Sequence, residues 1–207
     1  FNNYEFGLAN QNTLFDKVTR EGKTDEQGNA VEKYEVPDMY KNLGLLQAIF
    51  FATVFDETGR PVSRSTTVDI FTQPVFFGVA DDGYYFYALN QPVQFPIVAL
   101  NRDAKILNGV QARVQVIKHE YRTVLTKSGS YFRYESQKED KLISSSLVTV
   151  SGDNTRYSFT PRSPGDYELQ VSIPGANAYV SKSFYSYGAW GGDNNSFDVN
   201  NEGHIDI

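Results

Sequence analysis

Between Gln47 and Phe71 the chain carries two strand-forming runs held apart by Asp56-Glu57-Thr58-Gly59-Arg60-Pro61. Ile49, Phe50, Phe51, Thr53, Val54 and Phe55 precede the break, and Thr67, Val68, Ile70 and Phe71 follow it. β-branched and aromatic side chains suit a pleated surface. Asp56 can accept hydrogen bonds from the backbone ahead of it, and Gly59 tolerates positive φ. Pro61 has no N–H to give a ladder, so it belongs at the first residue of a strand or at an edge. The stretch predicts a β-hairpin at the heart of a sandwich.

The rest of the chain repeats the theme. Val93, Phe95, Ile97 and Ala99 alternate with Gln94, Pro96 and Val98, and Val110, Ala112, Val114 and Val116 alternate with Gln111, Arg113 and Gln115. Such a period of two puts one face in a core and the other in water. Tyr131 to Ser136 reads as a strand with aromatic groups on both sides, Ser136–Lys141 as a charged loop, and Leu142–Val150 as the next strand. Turns at Ser151-Gly152-Asp153-Asn154 and Ser163-Pro164-Gly165-Asp166 lead into Tyr157–Phe159 and Tyr167–Ile173, and Ala178–Tyr187 is the last strand of this unit. From Pro92 to Tyr187 about seven strands with turns every ten residues or so give the pattern of an immunoglobulin-like sandwich. Upstream, Lys17–Lys23 and Val31–Pro37 read as strand-like runs around the turn Thr24–Ala30, and no stretch shows a helical stripe.

The expected class is therefore all-β, with two tandem sandwiches. Residues 1–90 form the first and 91–188 the second, while 189–207 form a connector and the first strand of a following domain. A length of 207 residues accommodates this, at roughly 100–150 residues per domain. The 14 tyrosines and 15 phenylalanines against one methionine fit sheet cores better than adaptable helical surfaces. A net charge of −6 disfavours nucleic acid and anionic membranes as partners. The absence of cysteine removes disulfides, thiol nucleophiles and thiolate metal sites. No apolar run is long enough to span a bilayer as a helix. The start at Phe1, without a signal-peptide pattern, marks an expected mature or excised segment.

Catalytic material is sparse. The two histidines, His119 and His204, lie far apart, and His119 reads as an exposed residue at a strand end. A zinc site needs three or four ligands. No nucleophile elbow or phosphate-binding loop is present. Asp198 to Asp206 has acids or amides at positions one, three, five and nine of a calcium loop, with Gly203 at six; it is equally an ordinary hairpin loop. No catalytic, cofactor or metal residue is assigned. Phe76-Phe77, Tyr84–Tyr87 and Phe184–Trp190 can stack on sugar rings, but aromatics also fill cores and seams, and a seam between domains is the expected place for them.

Taken in order, the segments resemble the bacterial alpha-2-macroglobulin family. Tyr4-Glu5-Phe6-Gly7-Leu8, Thr24–Ala30, Val54–Ser65 and Phe76-Phe77-Gly78-Val79 look like one macroglobulin domain. Val93–Val116, Phe159-Thr160-Pro161 and Pro164–Leu169 look like the next, and Tyr185–Ile207 like the lead-in to a third. The chain departs at Asp103-Ala104-Lys105, where such domains place a Gly-containing turn. The resemblance implies a non-catalytic segment of a protease trap: a protease cuts a bait segment, the shell of domains rearranges, and the protease is enclosed. Neighbouring macroglobulin domains and, through the intact parent, a target protease are the implied partners. The periplasm or cell envelope is the implied location, any lipid anchor of the parent lying outside this segment. Many members also capture through a Cys-Gly-Glu-Gln thioester, which a chain without cysteine does not contain. The alternatives are a carbohydrate-binding or adhesin-type module and an accessory domain of an envelope enzyme.

Overall fold

The computed structural model describes residues 1–9, 17–128 and 131–188. The described residues are nearly all strand or connecting loop, with one turn of 3-10 helix at Asp38–Tyr40. They group into two units: residues 1–9 together with those from Val75 onward, and Asn10–Pro74.

The first unit is a sandwich. One sheet has the order β1-β5-β7-β10, made by Tyr4–Glu5 (β1), Phe76–Ala80 (β5), Val93–Leu100 (β7) and Arg156–Phe159 (β10). The other runs β2-β12-β11-β8-β9, made by Leu8–Ala9 (β2), Tyr179–Tyr187 (β12), Gly165–Ser172 (β11), Asn108–Ser128 (β8) and Tyr131–Ser151 (β9), with Phe86–Ala88 (β6) parallel to β12. The two alternating runs of the sequence become β7 and β8. Val93, Phe95, Ile97 and Ala99 face Ala112, Val114 and Val116 across one core, which Val79, Leu169 and Val171 complete. Pro96 sits inside β7 without breaking the sheet, because the β5 ladder ends one residue earlier, at Val79↔Ile97.

Phe184 is the hub of this core. It is fully buried and stacks on Tyr167, with centroids 5.3 Å apart and planes at 12°. Phe95 lies 5.1 Å away, Tyr87 5.8 Å and Phe159 6.2 Å, all tilted or edge-on. These rings come from β11, β7, β6 and β10, so one side chain ties the two sheets together. Phe77, Tyr87 and Phe184, expected at a seam between domains, instead fill the sandwich's own core.

The residues enclosing that core differ from a 91–188 unit. Phe1–Ala9 and residues 75–90 belong with it, so position 90/91 falls between β6 and β7 of one sandwich. β9 also runs unbroken through Ser136–Lys141. The charged stretch expected as a loop is one side of a ribbon with β8, where Thr123 pairs with Ser136 and Lys118 with Lys141. Its charges are solvated along the ribbon and matched by ion pairs such as Arg122–Glu139 at 2.9 Å. β11 stops pairing with β8 at Asp166↔His119. Beyond that point β8 and β9 pair only with each other among the described residues, carrying exposed Leu125, Tyr131 and Phe132.

In the second unit Leu45–Phe55 (β3) and Pro61–Phe71 (β4) pair in register over their full length, from Leu45↔Phe71 to Phe55↔Pro61. The hairpin and the place of Pro61 follow the expectation; its position at the heart of a sandwich does not. β3 and β4 form a two-stranded sheet. Ala48, Phe50 and Val54 share one face with Val68 and Val62, while Ile49, Phe51 and Phe55 lie on the other. The large side chains on both faces are exposed, Phe51 at 78%. Two strands leave such faces uncovered. Lys17–Lys23 and Val31–Pro37, expected as strand-like runs, form no ladder among the described residues. Arg20 joins them, reaching Glu32 at 3.2 Å and donating to the Lys33 carbonyl at 2.8 Å.

One turn recurs three times. In Asp25–Asn29, Asp56–Arg60 and Asn101–Lys105 the first residue's N–H donates to the fifth carbonyl and the fourth N–H donates to the first carbonyl. The first side chain's Oδ1 accepts from the backbone N–H of the third and fifth residues. The fourth residue is left-handed: Gly28 at φ 83°, Gly59 at 80°, and Ala104 at 58°. The glycine-free turn thus keeps the same geometry, with Ala104 bearing the steric penalty of that region. Ala104→Gly relieves the penalty but loosens the unfolded chain. The expected result is a gain of about 0.5 kcal/mol, read as a small rise in urea midpoint; a loss of similar size would contradict it.

Candidate functional site

Two side-chain clusters on the sandwich come nearest to a functional site. His119 is not an exposed strand end. It lies within β8, its side chain 10% exposed, with Nδ1 2.7 Å from Asp140 Oδ1 on β9 and Nε2 3.7 Å from Glu168 Oε2 on β11. Glu168 also accepts from Gln170 Nε2 at 2.8 Å, and Lys138 Nζ lies 3.6 Å from Asp140. The imidazole is thus hydrogen-bonded across to β9 and lies beside the Glu168 carboxylate of β11. Sequence reasoning missed it because the strand was expected to end before His119, whereas it continues to Ser128.

The second cluster is a clamp. Lys182 on β12, its side chain 9% exposed, reaches Asp82 Oδ1 at 2.7 Å and Asp81 Oδ1 at 3.0 Å, and donates to the Ala80 carbonyl at 3.4 Å. It pins the turn after β5 onto the edge of the opposite sheet. Burial works to lower the lysine's pKa, and hydrogen bonds to Asp82 and Asp81 outweigh it and leave it raised. The Gly83 N–H and then Lys182 hold the Asp81 carboxyl below its usual range. Burial pushes the Asp82 carboxyl up, but Lys182 and the Tyr84 N–H bring it below the usual range. Beside the clamp, Tyr85 donates to Asp166 Oδ1 at 3.1 Å. Burial, then the Asp166 charge, pushes that phenol up to about 12, so it stays a neutral donor at ordinary pH. Glu5, Asp81, Tyr84, Tyr85, Lys182 and Ser183 line a cleft of about 310 Å³ here.

The sign of the pH dependence follows. The lowered carboxyls contribute stability above an unfolded pKa of about 3.9, and that contribution is lost as pH falls through their folded values. The raised lysine contributes below about 10.4 and loses that contribution as pH rises through its folded value. Lys182→Met is expected to lower the melting temperature most in the neutral range, with the gap to the parent chain closing in acid. Melting curves that differ by the same amount from pH 3 to 7 would contradict the clamp.

Among the described residues, no group of three or more His, Asp or Glu is placed to hold a metal ion. The candidate calcium loop Asp198–Asp206 and His204 lie outside the described residues.

Comparison with known proteins shows what kind of sandwich this is. The family model for bacterial macroglobulin domain 6 matches residues 79–188, and that for the bacterial alpha-2-macroglobulin MG5 domain matches residues 1–71. The chain belongs to the bacterial alpha-2-macroglobulin family. Macroglobulin domains are immunoglobulin-like β-sandwiches, and the all-β macroglobulin-type class expected from the sequence holds. Among solved structures, native Escherichia coli alpha-2-macroglobulin is similar at 18% identity with a TM-score of 0.51, over 73% of this chain and 10% of that one. Salmonella alpha-2-macroglobulin reacted with methylamine matches at 18% identity and TM-score 0.49, over 69% of this chain and 10% of that chain. The E. coli protein activated by porcine elastase matches at 21% and 0.46, over 69% and 13%. This macroglobulin segment therefore spans about a tenth of the length of those solved chains. A search of the curated proteins found no match. Residues 1–9, matched with the MG5 domain, pair inside the sandwich that the domain 6 match covers.

Proposed function

We propose that this segment is a non-catalytic structural piece of an alpha-2-macroglobulin-like protease trap, working in the periplasm or cell envelope. Its sandwich serves as a rigid element of a domain shell that contacts neighbouring macroglobulin domains, and the intact parent encloses the target protease. The observation that carries this reading is the consecutive match to macroglobulin domains 5 and 6 along one chain. The core supports it: the rings around Phe184 join both sheets, the kind of packing that moves as a body rather than deforming. Any cysteine-based thioester of such a parent lies outside this chain, which has no cysteine.

Enclosure makes a distinctive prediction. A trapped endopeptidase keeps its active site but is walled off from large substrates. Incubating the intact parent with an endopeptidase is expected to abolish cleavage of a folded protein substrate while leaving most activity on a small chromogenic peptide. Loss of both activities would indicate an active-site inhibitor instead, and loss of neither would overturn the trap.

A further inference from the structure

We propose that the edges of β5 and β12 form an acceptor site for an extended peptide strand, occupied in this chain by its own residues 1–9. The inference stands on the geometry of the sandwich and does not rest on the protease-trap reading.

The segment touches both sheets. Tyr4 and Glu5 pair with Ala80 and Val79 on β5, and the Asp81 N–H donates to the Asn3 carbonyl at 2.7 Å. Leu8 and Ala9 then pair with Val180 and Tyr179 on β12. The crossing is made at Phe6-Gly7, where the Glu5 carboxylate turns back to accept from the Gly7 N–H at 2.8 Å. Two side chains anchor it. The Phe6 ring lies over Gly78, where a Cβ would come within 2.5 Å of the ring, so the missing side chain is the seat. Leu8 packs against the main core. Phe1 and Tyr4 extend the aromatic surface, with ring centroids 5.6 Å apart.

Backbone pairing at an open edge with anchors at alternate side chains is the recognition mode of β-strand addition. The aromatic and aliphatic anchors flank the Phe6-Gly7 crossing, Phe6 seated over Gly78 of β5 and Leu8 against the core beside β12. Asn10–Pro74 intervenes between the segment and the rest of its sandwich. A cut in the exposed residues 17–24 would leave the segment held there by non-covalent contacts alone. The site's ligand class is thus an extended peptide with a Phe-x-Leu pair.

The test uses the full chain with a specific protease recognition sequence substituted into residues 17–24, cut after folding. The N-terminal fragment is expected to remain with the body on gel filtration. Excess fluorescent peptide spanning Phe1–Ala9 should replace it, and peptides with Phe6→Ala or Leu8→Ala should bind at least about tenfold more weakly. A fragment that leaves at once without changing the body's melting temperature would overturn the site, as would equal binding of the variant peptides. If cutting unfolds the body, the uncut chain carrying Phe6→Ala and Leu8→Ala decides. Its weakened segment should yield to the added wild-type peptide, and no binding would overturn the proposal.

Discussion

Phe184→Ala is expected to destabilise the sandwich by about 3–5 kcal/mol, as for other fully buried phenylalanines. The ring is inaccessible to solvent and touches rings from both sheets, so truncation removes apolar burial and leaves a cavity between layers that the surrounding rings can only partly fill. Urea unfolding followed by far-UV circular dichroism should show a much lower midpoint with little change in slope, since the surface exposed on unfolding is nearly unchanged. Phe51→Ala provides the contrast. Phe51 is 78% exposed on the β3–β4 hairpin, and its replacement should alter stability by less than about 0.5 kcal/mol. Similar losses for both would contradict a core centred on Phe184.

Gly78→Val is expected to cost about 2 kcal/mol and to release residues 1–9. Gly78 pairs with Val98 within β5–β7 and has no positive φ, so valine fits the strand itself and even gains some β-propensity. The obstacle is Phe6, whose ring atoms lie 2.5 and 2.6 Å from the new Cβ position. With the ring displaced, its burial is lost and the short ladders at Tyr4–Glu5 and Leu8–Ala9 have one anchor fewer. The double variant Phe6→Ala, Gly78→Val separates this from general strain. If the clash is with Phe6, the two changes together should cost clearly less than the sum of their separate costs. Additive losses would place the damage elsewhere in β5.

Alternation made β8 and the first half of β7 readable because one face is buried there, although Val98 and Leu100 bury the other face of β7 further on, and the Asp-x-x-Gly spacing located the β3–β4 turn and its register. Continuity was harder to read. The charge run Ser136–Lys141 resembles a loop, yet it is half of a ribbon whose charges are satisfied across strands and by water, a state that leaves no hydrophobic period behind. Strand boundaries drawn too early also hid His119 from its partners on β9 and β11. Short edge strands are harder still, since two paired residues at Tyr4–Glu5 and two at Leu8–Ala9 carry no periodicity. Their hold depends on Gly78, a residue that contributes by having no side chain. Lys182 was invisible for a related reason. Its partners Asp81 and Asp82 lie about a hundred residues away, and nothing local marks a lysine as a clamp. The family, by contrast, was legible from the ordered set of turns and strand motifs, because these are set by backbone geometry.

Amide hydrogen exchange resolved by peptide is the most direct measurement of whether residues 1–9 and the strands from β5 to β12 make one rigid sandwich. The ladder amides of residues 1–9 should exchange slowly and slow together with those of β5 and β12, while the β8–β9 ribbon beyond His119 and the β3–β4 hairpin exchange faster. Rapid exchange of residues 1–9 beside a protected 75–188 body would contradict that sandwich.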